Sequence, residues 1–436
     1  MGSHRVPDPL AVWTYEQAGE EIACGHPSVT DQERAVAGRE TVAERQRTLL
    51  AANQRRAAAR YAAATGPDAT GPDGDKMDAD EMVRVWYPRD VAALRSRLGG
   101  GTALAVWAED DILHVLWRGH ANQVQLSSGL QVPLWPVPGT GDLWEASLRV
   151  PRLAEAVISI HVLAQQDSEL PFGRPLADET VWRGPRATAF WPAAESLAGS
   201  IEEHVLDSAV LGGPRGVTVY RPPGQRERLP VCIMADGQSV GGFAPILESA
   251  ILAGAAPAVA LVGVHHGVDR GAADQGAVFP DLRAREYLPG KDRSRFDAHL
   301  RFVVGEVMPW AAQWLAVPAG PWLVAGFSNG AVWSIAAAQR RPDLFTGVAV
   351  LSGGLVPRRI TSTARIAGVR HYLAAGTLEP GFRRSTREWA ERLQRAGLTC
   401  CYREWVGGHD HLWWAQQLPA ALGWLLSRTT PRPPSG

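Results

Sequence analysis

The chain has 436 residues, which is more than one hydrophobic core usually serves, so its length predicts at least two domains. Lys plus Arg number 44 and Asp plus Glu number 45, giving a formal net charge of -1 that offers no general attraction to nucleic acid or to an anionic membrane. The four cysteines have neither metal-ligand spacing nor the density of a disulfide-stabilised domain.

Residues 1–78 are predicted to form an N-terminal helical extension and a linker. Thr30 and Glu33 stand at capping-box spacing before a long run rich in Ala, Glu, Arg and Gln, and the turn-forming stretch TGPDATGPDGD follows. A solvated arm and a helix that docks on a partner or covers a site both fit this composition.

The sequence carries no targeting or membrane signal that we can identify. The N-terminus lacks the basic and apolar segments of a signal peptide, and no window reaches the roughly 18 to 20 apolar residues of a membrane span. We therefore expect a cytoplasmic protein.

Residues 79–195 are predicted to form an Ig-like β-sandwich of antiparallel strands. The runs TALAVWA, ILHVLWRG, NQVQL, LWEASLRV and AVISIHVLA alternate between apolar and polar residues and are separated by turn residues. In LWEASLRV this alternation puts Trp144, Ala146, Leu148 and Val150 on one buried face. The proline-rich stretch PFGRPLADETVWRGPRATAFWP that follows is predicted to connect two domains.

Residues 196–430 are predicted to form an α/β-hydrolase domain. Apolar strand-like runs such as LPVCIMADG, AVALVGVHH and GVAVLSGG alternate with helical segments. This pattern is typical of a mainly parallel sheet with helices on both faces.

Ser328 is the candidate nucleophile. It lies between Gly326 and Gly330, after the apolar run WLVA and before an amphipathic helical segment, so it falls on a strand-to-helix turn. A G-x-S-x-G sequence in this context predicts a nucleophile elbow, in which the flanking glycines prevent collisions around a strained serine. A structural Gly-Ser-Gly turn is the alternative.

A serine hydroxyl needs a general base, which in turn is oriented by an acid. In this fold the acid and then the histidine follow the serine along the chain. We assign His409 as the base, with His411 as the alternative, and Glu379 as the acid, with Asp410 as the alternative. A Ser-His dyad assisted by water also fits.

Two N–H donors are expected to bind the developing oxyanion. The first is the backbone N–H of Asn329, directly after the nucleophile. The second is assigned to Gln238, in the loop after VCIMADGQ, where Asp236 could instead brace the turn.

The motifs IMADGQ, RAREYLP, GFSNGAVWSIAAAQRRPDLFTGVAVLSGG, AAGTLEP and GGHDHLWW occur in an order that resembles the enterochelin (enterobactin) esterases, which are esterase D-like α/β-hydrolases. VLWRGHANQVQL and GTGDLWEASLRVP resemble the N-terminal domain of the same family. The resemblance implies hydrolysis of the ester bonds of a catecholate siderophore, with Ser328 and His409 as core catalysts.

Three further residues are candidates for substrate binding. By resemblance, Arg283 would face an anionic ferric catecholate, whereas an Arg283–Glu286 pair that braces a loop is the alternative. Trp413 and Trp333 could stack on aromatic acyl groups, although core packing is the common role of tryptophan.

The sequence therefore predicts a serine esterase that acts on a trilactone-like small molecule. It departs from the family pattern in its N-terminal arm and in Asn329, where a bulky aromatic is often found. A biosynthetic thioesterase, acyltransferase or cyclase with the same triad is the alternative, and a non-catalytic binding protein is a third. We expect no cofactor and no catalytic metal, and a homodimer is left open.

Overall fold

The computed structural model describes most of the chain from residue 82 onward and a short segment near the N-terminus. The described residues are 2–5, 82–86, 90–99, 101–165, 178–224, 229–267, 282–318, 320–354 and 362–427. The long helix predicted after Thr30 lies outside them. Residues 2–5, which precede that predicted helix, form a β-strand, and the helical extension stays a prediction.

The described residues between 2 and 183 form a nine-stranded sheet, here called the N-terminal sheet, in which every strand pair is antiparallel. Its central order is β1-β2-β7-β6-β5-β8-β9, and β4 joins β3 to β7. The strands are β1 (Gly2–Arg5), β2 (Val83–Trp86), β3 (Leu104–Glu109), β4 (Ile112–Arg118), β5 (Gln123–Ser127), β6 (Pro133–Pro136), β7 (Leu143–Arg149), β8 (Val157–Gln165) and β9 (Asp178–Arg183).

All five strand-like runs of this region coincide with observed strands, namely β3, β4, β5, β7 and β8. The predicted face formed by Trp144, Ala146, Leu148 and Val150 is buried, at 3%, 1%, 0% and 0% exposure. The predicted connector is wrong in part, because its segment DETVWR forms β9 and pairs with β8. The arrangement of this sheet as a two-layered sandwich stays a prediction.

The second sheet has eight strands in the order β10-β11-β13-β12-β14-β15-β16-β17. It is mixed: β11 pairs antiparallel with β10 and β13, whereas the remaining neighbours are parallel. The strands are β10 (Ser200–Ser208), β11 (Gly213–Arg221), β12 (Val231–Ala235), β13 (Ala260–Val264), β14 (Trp322–Phe327), β15 (Phe345–Leu351), β16 (Arg370–Gly376) and β17 (Cys400–Trp405).

The middle of this sheet is covered on both faces. Successive residues of a strand point to opposite faces, and every residue of β12, β13 and β14 is buried. The sequences of these strands are therefore continuous apolar runs, which is why they were predicted as strands.

Helices alternate with the strands of the second sheet. The helix α8 (Pro380–Arg395) has a clear amphipathic pattern. Its buried residues Phe382, Thr386, Trp389 and Leu393 recur at helical spacing, while its other face carries charge. A π-helical turn at Val303–Val307 joins α4 to α5. The helices are α1 (Val91–Arg97), which precedes β3, α2 (Val240–Leu252), α3 (Leu282–Tyr287), α4 (Arg293–Phe302), α5 (Met308–Leu315), α6 (Asn329–Arg340), α7 (Thr363–Ile366), α8 (Pro380–Arg395) and α9 (His411–Leu426).

The chain divides into two compact units. The first contains Met1–Thr188 together with two short segments from much later in the chain, Thr377–Pro380 and Val406–Asp410. The second contains the remaining residues and the mixed sheet. The predicted domain limits at residues 78 and 195 stay predictions. Among the described residues, no helix combines the length and apolar character needed to cross a bilayer.

Candidate active site

Ser328 lies at a strained turn between β14 and α6. Its backbone angles are φ 55° and ψ -127°, a region that residues with a Cβ rarely adopt. Its N–H donates to the carbonyl of Leu351 at 3.0 Å, which holds the turn against β15. The tertiary structure therefore fixes a backbone conformation that a free serine would avoid.

Close contacts at this turn leave no room for a side chain at either flanking glycine. A Cβ on Gly326 would lie 2.2 Å from the carbonyl oxygen of Gly330, and a Cβ on Gly330 would lie 2.9 Å from both the Ala235 Cβ and the Asp236 carboxylate. Both distances are shorter than those that real Cβ atoms show. The local sequence is thus explained by the sterics of a tight strand-to-helix turn.

His409 and Glu379 form a buried pair. Nδ1 of His409 lies 2.6 Å from Oε2 of Glu379, and their side chains are 10% and 2% exposed. The backbone also joins the two loops, because the Leu378 N–H donates to the Gly407 carbonyl at 2.9 Å. A carboxylate on Nδ1 favours the tautomer that carries its proton there, which leaves the Nε2 lone pair able to accept a proton.

These residues follow the ends of parallel strands. Ser328 comes directly after β14, Glu379 follows β16 by three residues, and His409 follows β17 by four. In open α/β sheets, functional side chains are usually supplied by the loops at the carboxyl ends of the strands.

The two alternative residues have other contacts. The Asp410 carboxylate accepts a hydrogen bond from the Ser159 N–H at 3.2 Å. His411 begins α9, and its ring lies edge-on to Phe327 at 4.6 Å and to Trp414 at 4.9 Å. Glu379 has a hydrogen bond to the His409 ring.

The loop after β12 carries the second candidate oxyanion donor. Asp236 adopts a left-handed conformation, φ 58° and ψ 53°, and the 3-10 turn Gly237–Ser239 follows with Gln238 at its exposed centre. A Cβ on Gly237 would lie 2.2 Å from the backbone of Gly263, so this turn is packed tightly on β13. Asn329, the first candidate donor, begins α6, where backbone N–H groups have no partner within the helix.

Arg283 binds a carboxylate of the protein. Its Nε and Nη2 donate to the two oxygens of Asp236 at 2.7 and 2.8 Å, and the side chains are 22% and 3% exposed. The Asp236 N–H donates to the hydroxyl of Tyr287 at 2.9 Å. Two residues of α3 therefore brace the loop that leads to Gln238, and the bracing role of Asp236 is realised through Arg283.

A family model described as "Putative esterase" matches residues 208–425, which is half of the chain. The chain belongs to this esterase family. Membership supports ester hydrolysis as its activity, and the family resemblance predicted from the sequence motifs is confirmed.

Solved esterase structures share the fold of this esterase. Enterobactin esterase FES from Shigella flexneri, solved in the presence of enterobactin, is 18% identical, and the match covers 76% of this chain and 97% of that chain with a TM-score of 0.54. Ferric enterobactin esterase from Salmonella typhimurium is also 18% identical, with 76% and 98% covered and a TM-score of 0.55. At such identities the similarity establishes the fold alone. No curated protein matches the chain by sequence.

The two candidate substrate-stacking tryptophans of the esterase differ in environment. Trp333 is 0% exposed and packs in the core against Tyr287 and His299, so a substrate could reach it only if the core opened. Core packing, the alternative role, describes it. Trp413 is 6% exposed, stacks on Trp405 and meets Phe190 edge-on at 4.7 Å.

A second ion pair of the esterase was not predicted from its sequence, and the alternative pair suggested for Arg283 is wrong. Glu286 binds Arg215, with both bonds at 2.8 Å, and accepts the Gly267 N–H, so the suggested Arg283–Glu286 brace is replaced by two separate pairs. Burial raises the pKa of Glu286, but its hydrogen bonds to Arg215 hold the pKa below the ordinary value overall. The motif RAREYLP contained the signal, because it places Arg283, Glu286 and Tyr287 within one short helix.

Among the described residues, no group of three or more His, Cys, Asp or Glu side chains could hold a metal ion. Ser328 offers a hydroxyl, and His409 offers an imidazole with a carboxylate partner; these are groups used in acyl transfer.

Proposed function

We propose that this esterase hydrolyses the ester bonds of a catecholate-siderophore-like trilactone through an acyl-enzyme on Ser328. The observation that carries the proposal is the backbone of Ser328, which is held at positive φ between a buried strand and a helix. Such strain persists only where the surrounding structure imposes it, and it is characteristic of a serine that must be presented to a substrate.

The hydrogen bond between His409 and Glu379 supports the assignment of the base. In the proposed reaction, Nε2 of His409 accepts the Ser328 proton while Oγ attacks the ester carbonyl carbon. The same proton then passes to the leaving alkoxide, so the C–O bond breaks and an alcohol departs. Water repeats the sequence on the acyl-enzyme, releasing the acid and restoring Ser328.

Glu379 stabilises the imidazolium that forms in each half of this reaction. The N–H groups of Asn329 and Gln238 are proposed to bind the oxyanion. No metal ion takes part in this mechanism, and iron would be carried by the substrate.

The trilactone is the part of the proposal that depends on similarity. The motif order of the chain and the fold shared with enterobactin esterases both support it. An acyl group with a catechol ring is flat and apolar on its faces, and Trp413 is proposed to contact it. The cytoplasm is proposed as the location, where ester cleavage would free iron for use.

Labelling with a fluorophosphonate tests the nucleophile. We expect the wild-type protein to be labelled and Ser328→Ala to be neither labelled nor active, with turnover of an ester reduced at least about a thousandfold. Ser334→Ala is the matched control, because Ser334 lies in α6, which directly follows Ser328, and is buried and donates to the Gly330 carbonyl. Equal labelling of Ser328→Ala would exclude Ser328 as the nucleophile.

Mass spectrometry of the products tests the substrate. A ferric trilactone should gain one water for each ester bond cleaved, giving linear and then monomeric hydroxy acids. If the trilactone is unchanged while an acyl-carrier thioester is cleaved, the biosynthetic alternative replaces the proposal. If the protein is neither labelled nor active on any ester, a binding role replaces both.

A further inference from the structure

The loops that carry Glu379 and His409 group with the N-terminal sheet. Thr377–Pro380 and Val406–Asp410 belong to the same compact unit as Met1–Thr188, although some two hundred residues separate them along the chain. Leu378 and Val406 are 3% and 7% exposed and are members of the hydrophobic core of that sheet. Each loop thus has an apolar anchor next to or near its functional side chain.

Backbone contacts add to these anchors. The Val157 N–H, at the start of β8, donates to the Val406 carbonyl at 3.1 Å. Gly408 lies so close to the turn after β5 that a Cβ on it would be 1.4 Å from the carbonyl oxygen of Gly129. Gly129 itself packs on β8, since a Cβ added to Gly129 would be 2.3 Å from the Ser159 carbonyl oxygen. Three backbones therefore stack here with no room for a side chain.

Asp410, adjacent to His409, completes the junction. Its Oδ2 accepts the Ser159 N–H at 3.2 Å, and the two residues are 2% and 3% exposed. A buried carboxylate that accepts a backbone N–H makes a charge-assisted hydrogen bond, which is stronger than a neutral one. Asp410, the alternative acid predicted from the sequence, thus forms a hydrogen bond to β8.

We infer that the N-terminal sheet positions the Glu379–His409 pair. Asp410 is a positioning residue that acts through its hydrogen bond to Ser159. The inference rests on the proposed function. A displacement of a catalytic group by about 1 Å lowers a rate by up to about a hundredfold. The contacts that hold the loop Val406–Asp410 therefore affect the turnover rate, although Asp410 itself does not contact the substrate. The sheet then contributes to catalysis, beyond any contribution to binding.

Two substitutions in the full-length protein separate this role from the others. Asp410→Ala removes the acceptor of the Ser159 N–H, whereas Asp410→Asn keeps an oxygen that can accept it. With 4-nitrophenyl butyrate as a neutral ester, we expect Asp410→Ala to lower kcat about tenfold at unchanged KM and Asp410→Asn to stay within about threefold of wild type. Asp111→Ala is the control, since Asp111 is an exposed partner of Arg149 in the same sheet.

Active sites are counted by complete fluorophosphonate labelling, and kcat is expressed per labelled site, so that loss of folded protein does not imitate a loss of rate. Wild-type kcat in Asp410→Ala would overturn the inference, and an equal, large loss in both variants would also overturn it by assigning Asp410 the role of acid. A wild-type protein with neither esterase activity nor labelling would instead overturn the proposed function, before the variants are compared.

Discussion

At the scale of single residues, the main feature is the hydrogen bond between the side chains of Glu379 and His409. The 2.6 Å bond between them is short enough to be charge-assisted, and both side chains are largely withdrawn from water. Glu379 immediately precedes α8, whose first residue is Pro380. A proline suits the first helical position, where no backbone donor is needed, so the local sequence also determines that the helix begins directly after Glu379.

We predict that Glu379→Gln will lower kcat by about a thousandfold to ten-thousandfold. The amide cannot hold the charge of the imidazolium, and its NH₂ group can bind the wrong histidine tautomer. The measurement is the steady-state rate on 4-nitrophenyl butyrate. The control is Glu388→Gln, because Glu388 lies exposed on α8 and pairs with Arg392. Near-normal activity of Glu379→Gln would leave the dyad assisted by water as the mechanism.

At the scale of elements, α3 braces the loop after β12. Arg283 and Tyr287 lie one turn apart on this helix and bind the side chain and the backbone of Asp236. Asp236 in turn holds a left-handed conformation directly before the turn that contains Gln238. The helix therefore determines where the second proposed oxyanion donor points.

We predict that Arg283→Ala will destabilise the protein by about 3 kcal/mol and lower kcat about tenfold on a neutral ester. The stability loss follows because the Asp236 carboxylate, 3% exposed, would be left without its charge partner. Arg283→Lys should recover part of the stability, since it keeps the charge but not the two-pronged geometry. Urea unfolding and steady-state kinetics measure the two effects.

The same variant tests the role implied by the family resemblance. If Arg283 binds an anionic substrate, Arg283→Ala should raise KM for a ferric catecholate and leave the rate on 4-nitrophenyl butyrate unchanged. A loss of kcat on both substrates supports the bracing role instead.

The elements that could be predicted from the sequence share one property: the residues that mark each of them are neighbours along the chain. β12, β13 and β14 are buried on both faces, and Ser328 is flanked by the glycines that its own turn requires. β10 and β9 were not predicted as strands, because their sequences SIEEHVLDS and DETVWR carry charge and remain largely exposed. At a sheet edge, burial no longer imposes an apolar alternation.

For the candidate active site, too, only features marked by neighbouring residues in the sequence were predicted. Ser328, Glu379 and His409 were indicated by short motifs in a known order, whereas the Arg283–Asp236 and Arg215–Glu286 pairs join residues 47 and 71 positions apart. Nothing local distinguishes such partners from neighbours three residues away, which is why the Arg283–Glu286 alternative was plausible. The anchoring of Asp410 to Ser159, 251 positions away, was equally beyond the reach of a local pattern.

At the scale of the whole molecule, two buried histidines link stability to pH. His299 and His371 are 0% and 1% exposed, and burial lowers the pKa of each to about 4. Neither ring nitrogen of His299 has a hydrogen-bond partner among the residues that the structure describes, and the ring packs against Tyr287 and Trp333. Both imidazoles are therefore neutral in the folded protein at neutral pH.

We predict that the free energy of unfolding falls as the pH drops from about 6.5 to about 4. In that interval the unfolded chain binds a proton at each histidine and the folded protein does not, so each histidine removes up to about 3 kcal/mol; above about pH 6.5 neither contributes to the pH dependence. Urea unfolding at a series of pH values gives the slope. His299→Phe should reduce it by about 1.4 kcal/mol per pH unit, and so should His371→Phe, with additive effects in the double variant. A slope that the double variant leaves unchanged would mean that carboxylates alone govern the loss of stability in acid.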